Sequence, residues 1–266
     1  MKKLVSLTLA LLLVLTVFEG LSLAVAENVK AGKAEPKRFG IIGAMDEEIA
    51  SLTEAMTEPQ IRAVAGMDFY EGTLDGVDVV IVKCGVGKVN AASCAQILID
   101  LFGVDRIINT GVAGSLDARI DIGDIVVSTE AVQHDMDATA LGFAPGEIPY
   151  DDVSVFPADD AMRRDAVEAV GAVAPEIQAF EGRVCSGDQF IASRKQKEAI
   201  ISEFGGMCCE MEGAAIAQVC HLNGTPFVII RAISDKADDS EEMSYMEFEQ
   251  AAAERCAAIT RYMIAH

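Results

Sequence analysis

Apolar positions in this chain fall into short blocks separated by polar, glycine-containing turns, and the blocks alternate between two periods. Residues 38–45 form an apolar run ending in small side chains, the pattern of a buried strand. Residues 46–56 then read as a helix opened by Asp46, Glu47 and Glu48, at the end where the helix dipole favours negative charge. Residues 69–73 and 77–84, joined across Asp75-Gly76, have the signature of a β-hairpin. A helical stretch follows from Lys88 to residue 102, and strands at 106–110 and 122–128 come after it. Residues 133–152, rich in Asp, Gly and Pro, read as a long functional loop. Beyond it the pattern predicts helices over 159–173, 195–204, 210–222 and 246–264, with strands at 182–186 and 227–233. Strands alternating with helices predict one α/β domain, its central mixed, largely parallel twisted sheet flanked by helices.

The first 26 residues stand outside this pattern. Lys2 and Lys3 precede an apolar run over 4–18, and Ala24-Val25-Ala26 closes it like a cleavage site. The run is short for a bilayer span, so 1–26 reads as a secretory signal peptide, 27–38 as a linker and 39–266 as the folded domain. The implied location is periplasmic or extracellular, or cytoplasmic if the signal is not used. An uncleaved membrane anchor is the alternative.

Composition narrows the function classes. Of 266 residues, 51% are apolar and 24% charged, which is globular. The formal charge is −21, and loss of the leader leaves 19 basic against 41 acidic side chains, or −22. Such a surface repels nucleic acid and anionic lipid. Seven cysteines form no regular framework, and most read as small buried apolar residues. With three histidines and no Cys/His spacing of metal type, no metal and no cofactor is expected.

In open α/β sheets, ligands sit beyond the carboxyl ends of the strands, and four clusters fall there. Met45-Asp46-Glu47-Glu48 follows the first strand, and its acids read either as helix-terminal charge or as function. Asn109-Thr110-Gly111-Val112-Ala113-Gly114 allows a ligand close to the backbone. Glu210-Met211-Glu212-Gly213 reads as a capped helix start or as a binding group. Arg231-Ala232-Ile233-Ser234-Asp235 ends an apolar strand, and Asp235 reads as a helix cap or as a desolvated carboxyl able to act as an acid near neutral pH.

Together with Gly85-Val86-Gly87-Lys88-Val89 and Ser186-Gly187-Asp188-Gln189-Phe190-Ile191, these clusters occur in one order. In that order the chain closely resembles the 5′-methylthioadenosine/S-adenosylhomocysteine nucleosidases, within the purine nucleoside phosphorylase superfamily, from Phe39 to the C-terminus. The resemblance implies a nucleoside phosphorylase-like fold and hydrolysis of an adenine N-glycosidic bond. It implies that Asp235, oriented by Ser234, protonates purine N7, and that Glu48 holds and deprotonates the attacking water. Glu212 would grip the ribose hydroxyls, and Arg231 would position water and acids. By the same resemblance Phe190 stacks on adenine, the Ile191 backbone reads its edge, and Met211 packs under the ribose. Met45, Val86 and Tyr245 line the 5′ pocket, with Ala113 and Gly114 also touching substrate. The implied partners are a nucleoside, water and a second copy of the chain, with the 133–152 loop as the contact. Two positions depart from the family pattern: Val112 stands where many relatives carry serine, and Tyr245 where many carry phenylalanine. Three rival readings differ in chemistry. A phosphorylase would need a cationic or amide-lined phosphate site, which the acidic Met45–Glu48 turn does not offer. A futalosine-type hydrolase would keep the carboxylates and change the 5′ pocket. An exported nucleoside-binding protein would need neither acid.

Overall fold

The computed structural model describes residues 38–237 and 241–266, with only the backbone described over 241–247. The signal peptide at 1–26 and all of the linker except Arg38 lie outside the described residues. The elements are β1 (Arg38–Gly43), α1 (Asp46–Glu54), β2 (Thr57–Val64), β3 (Met67–Leu74), β4 (Val77–Lys83), α2 (Lys88–Phe102), β5 (Arg106–Ser115) and β6 (Ile125–Gln133). There follow β7 (Val155–Pro157), α3 (Asp160–Val173), β8 (Ala179–Ser186), α4 (Arg194–Phe204), β9 (Cys208–Glu210), α5 (Gly213–Asn223), β10 (Phe227–Asp235) and α6 (Glu241–Ala265).

The strands run β10-β6-β8-β9-β5-β1-β4-β3-β2, with β7 on β6, and β5 also pairs with β10. The second pairing closes β5, β10, β6, β8 and β9 into a ring. β1 and β4 extend the sheet outward from β5 through parallel pairs, and the antiparallel β3 and β2 finish it. Successive side chains of β10 enter opposite cores: Phe227, Ile229 and Ile233 pack with α2 and α5, and Val228, Ile230 and Ala232 with α1, α3 and α6. A strand buried on both faces needs an unbroken apolar run, which is what makes β1 and β10 conspicuous in the sequence.

Several boundaries differ from the pattern-based expectation. β2 is a polar edge strand, exposed over most of its length, so no alternation marks it. β5 does not end at Thr110 but continues to Ser115, because Gly111, Val112, Ala113 and Gly114 pair with β10. Residues 208–210 are a strand bridging β5 and β8, and the helix expected from Glu210 starts only at Gly213. β6 starts at Ile125 and reaches Gln133, so the long loop occupies 134–154. β1 begins at Arg38, as the run over 38–45 predicts, although the domain division assigned that residue to the linker; Arg38 pairs with Glu71 and Asp78.

Candidate active site

The carboxyl ends of β1, β5, β9 and β10 converge on one cavity of about 380 Å³. Glu48 enters it from the first turn of α1 and is 1% exposed. Its Oε2 accepts from the backbone N–H groups of Ala44 at 2.5 Å and Met45 at 3.1 Å, and its Oε1 accepts from Val112 N–H at 3.0 Å. Burial raises the Glu48 pKa, and this outweighs the lowering by Arg231 and the three amides. Gly111 is what lets Glu48 lie so close to β5. A Cβ there would stand 2.2 Å from Glu48 Oε1 and 2.5 Å from Arg231 Nη1.

Arg231 points inward from β10 and is the largest fully buried side chain of the described residues. Its Nη2 donates to Asn109 Oδ1 at 2.6 Å and to Glu210 Oε2, and lies 3.5 Å from Glu212 Oε2. Nη1 donates to Val112 O at 3.2 Å and faces Glu48 Oε1 at 3.9 Å. Burial opposes the charge on Arg231, but the three carboxylates outweigh it and raise its pKa. Glu212 sits in the turn between β9 and α5, where its Oε1 accepts from Gly87 N–H at 2.9 Å. Gly87 has φ +99°, a backbone shape that glycine adopts at no steric cost. Burial, then the neighbouring Glu210 and Glu48, push the Glu212 pKa up to about 7 against the pull of Arg231.

Asp235 closes the opposite side of the β5–β10 pair. Its Oδ2 accepts from Ser234 Oγ–H at 2.9 Å and its Oδ1 from Ala237 N–H at 2.7 Å, and it is 2% exposed. Phe190, half-exposed, and Ile191, buried, come from the loop after β8, while Val86 comes from the turn after β4.

One cavity thus gathers Glu48, Glu212, Arg231, Ser234 and Asp235 with Met45, Val86, Ala113, Gly114, Phe190, Ile191 and Met211. Tyr245 lies in α6, and its side chain is outside the described residues. Ala44, Gln189, Cys209 and Glu210 also line the cavity and were not singled out as site residues from sequence. Glu210 fell within a flagged cluster but was given no role, because the helical reading of 210–222 made it a helix-terminal charge. As the last residue of a strand, it instead points at Arg231. All seven cysteines are buried and unpaired.

A cavity at the strand ends that gathers four buried carboxylates with one arginine defines a class, and the comparisons agree with it. The family described as the Phosphorylase superfamily matches residues 38–265. A 5′-methylthioadenosine/S-adenosylhomocysteine nucleosidase of Shewanella sediminis is 42% identical over 212 residues, 79% of this chain and 91% of the relative. A nucleosidase of the same name from Colwellia psychrerythraea, solved in complex with adenine, superposes with TM-score 0.83 at 40% identity, covering 86% of this chain and 95% of that one. The futalosine hydrolase of Helicobacter pylori gives TM-score 0.82 at 33% identity, covering 86% and 97%. The chain belongs to the phosphorylase superfamily and, within it, to the 5′-methylthioadenosine/S-adenosylhomocysteine nucleosidase family.

Proposed function

We propose that the protein hydrolyses the N-glycosidic bond of 5′-methylthioadenosine and S-adenosylhomocysteine, releasing adenine and the thioribose product. The observation that carries this reading is Glu48: a buried carboxylate, of raised pKa, that already occupies the donors a phosphate would need. The Ala44, Met45 and Val112 amides bind its two oxygens, and Arg231 is engaged by carboxylates. Among the described residues an anionic nucleophile finds no free cation in the cavity, whereas a water next to a basic carboxylate can be deprotonated.

Asp235 is the acid for purine N7, its carboxyl fixed by Ser234 and Ala237. Glu212 takes the ribose hydroxyls, and Arg231 holds the acids in register. Phe190 stacks on the base, Ile191 reads its edge, and Met211 packs under the sugar. Met45, Val86 and Tyr245 receive the 5′ substituent, with Ala113 and Gly114 forming the wall beside the ribose. The two-carboxylate division of labour parallels that of inverting glycosidases. Positioned acids and bases contribute about 10² to 10⁴ each in rate.

The protein works as a homodimer, with the 134–154 loop as the contact. The exposed Leu141 and Tyr150 on that loop support this assignment. It works outside the cytoplasm, on the strength of the leader over 1–26. The deciding assay is adenine release from methylthioadenosine by the mature protein without phosphate, beside Asp235→Asn. Release by the wild type alone supports the reading, and phosphate-dependent ribose 1-phosphate overturns it. Faster turnover of futalosine would move the substrate to that class. Binding without cleavage by either protein would make it a nucleoside carrier.

A further inference from the structure

Three buried carboxylates share one guanidinium, and they share it unequally. Glu210 makes the closest contact with Arg231, Glu212 lies at 3.5 Å and Glu48 at 3.9 Å. Glu210 is also held from three other directions. Its Oε2 accepts from the N–H groups of Glu212 at 3.0 Å and Gly213 at 2.7 Å, and its Oε1 from Ser186 Oγ–H. Ser186 Oγ accepts in turn from Ala214 N–H at 2.7 Å. With four donors on two oxygens, Glu210 has little capacity left for substrate although it borders the cavity.

We propose that Glu210 is a positioning residue that draws Arg231 onto itself and thereby leaves Glu48 able to act as the base. This rests on the reading of Glu48 given above. An opposite charge in close contact lowers a carboxyl pKa by about 1 to 3 units. A Glu48 paired as tightly as Glu210 is would be a weak base, so the third carboxylate has a use that its own chemistry does not explain. Other titratable groups face this cluster from every side: Cys84 after β4, Cys185 on β8, Cys208 and Cys209 on β9, Cys256 on α6 and His134 after β6. Burial raises the five thiols and lowers the imidazole, which leaves all six neutral near pH 7. The division of Arg231 among the carboxylates therefore falls to Glu210, Glu212 and Glu48 alone within this cluster.

The test is the pH profile of kcat/KM for adenine release by Glu210→Gln. Glutamine is isosteric: its Oε1 can keep the two amides and its NH2 can donate to Ser186 Oγ, while the charge that draws Arg231 is gone. The expected result is an acid limb moved down by about 1 unit or more, since Arg231 turns toward Glu48 and Glu212 loses a like charge. The plateau should fall by about tenfold or more as the base weakens. Ser186→Ala, which keeps the charge at Glu210, should lower thermal stability and leave the limb in place. A lowered plateau with an unmoved limb in E210Q would reduce Glu210 to a structural role and overturn the proposal. If E210Q does not fold, E210D is measured instead: its shorter reach should move the limb in the same direction, and no movement overturns the proposal. The parent reading fails separately, if Glu48→Gln retains wild-type turnover.

Discussion

Gly111→Ala adds one methyl group at a point where the backbone of β5 meets two working side chains. The new Cβ would stand 2.2 Å from Glu48 Oε1 and 2.7 Å from Glu48 Cδ. The strand cannot retreat, because Gly111 is paired with Arg231 in the β5–β10 register. Glu48 must therefore move by about 1 Å to restore ordinary contact. That move strains its bond from Val112 N–H and leaves a buried amide poorly satisfied, at about 1–3 kcal/mol. Overpacking of this kind costs about 1–3 kcal/mol of fold stability. A reacting group displaced by about 1 Å can cost about 10²-fold in rate, or about 2.7 kcal/mol. The assay is kcat/KM for adenine release in a double-mutant cycle with Glu48→Gln. If the methyl acts through Glu48, adding Gly111→Ala to Glu48→Gln should cost little further activity. Wild-type kcat/KM in Gly111→Ala, or full additivity in the cycle, would refute the reasoning.

Asp235→Asn keeps one oxygen to accept from Ala237 N–H and turns an NH2 toward Ser234 Oγ, which can accept from it, so it should stay close to the wild-type melting temperature while turnover drops by about 10² to 10⁴; near-normal turnover would remove Asp235 as the acid. The Glu212 pKa, raised from 4.5 to about 7 in the fold, makes the folded state the better proton binder between those values. Its stabilising contribution is full below about pH 4.5 and is lost as the pH rises through about 7, so the wild-type melting temperature should fall relative to Glu212→Gln across that window. Arg231→Met leaves Glu48, Glu210 and Glu212 buried without a counter-charge and should cost about 3–5 kcal/mol in urea unfolding; a loss under about 1 kcal/mol would contradict the buried network. Export can be checked by N-terminal sequencing of protein recovered outside the cytoplasm, which should begin just after Ala26.

The elements most legible in the sequence are those whose burial leaves no ambiguity. β1 and β10 are apolar over most of their length because both faces are covered, and Asp46–Glu48 and Ser234–Asp235 stand out as the polar residues that end such runs. β2 was invisible because Glu58, Pro59, Gln60 and Arg62 suit a solvent-facing edge rather than a core. β9 is three residues long, too short for any period to register, and its neighbour Gly213 was absorbed into an expected helix. Local pattern also carries no information on the β5–β10 and β5–β9 pairings, which join residues far apart in the chain. For the same reason the carboxylates could be named one by one, while their competition for Arg231 could not.

The closed ring divides the site into two mechanical halves. β5 and β10 are each bonded on both flanks, and Asn109, Gly111, Arg231 and Asp235 ride on them, so opening this half amounts to unfolding the domain. Met45, Val86, Phe190 and Ile191 sit outside the ring, on turns that follow β1, β4 and β8. Amide exchange should therefore be slowest behind Arg231 and Asp235 and fastest around the purine and the 5′ substituent. Such a division keeps the chemistry at fixed geometry and leaves entry and exit of the ligand to the softer wall.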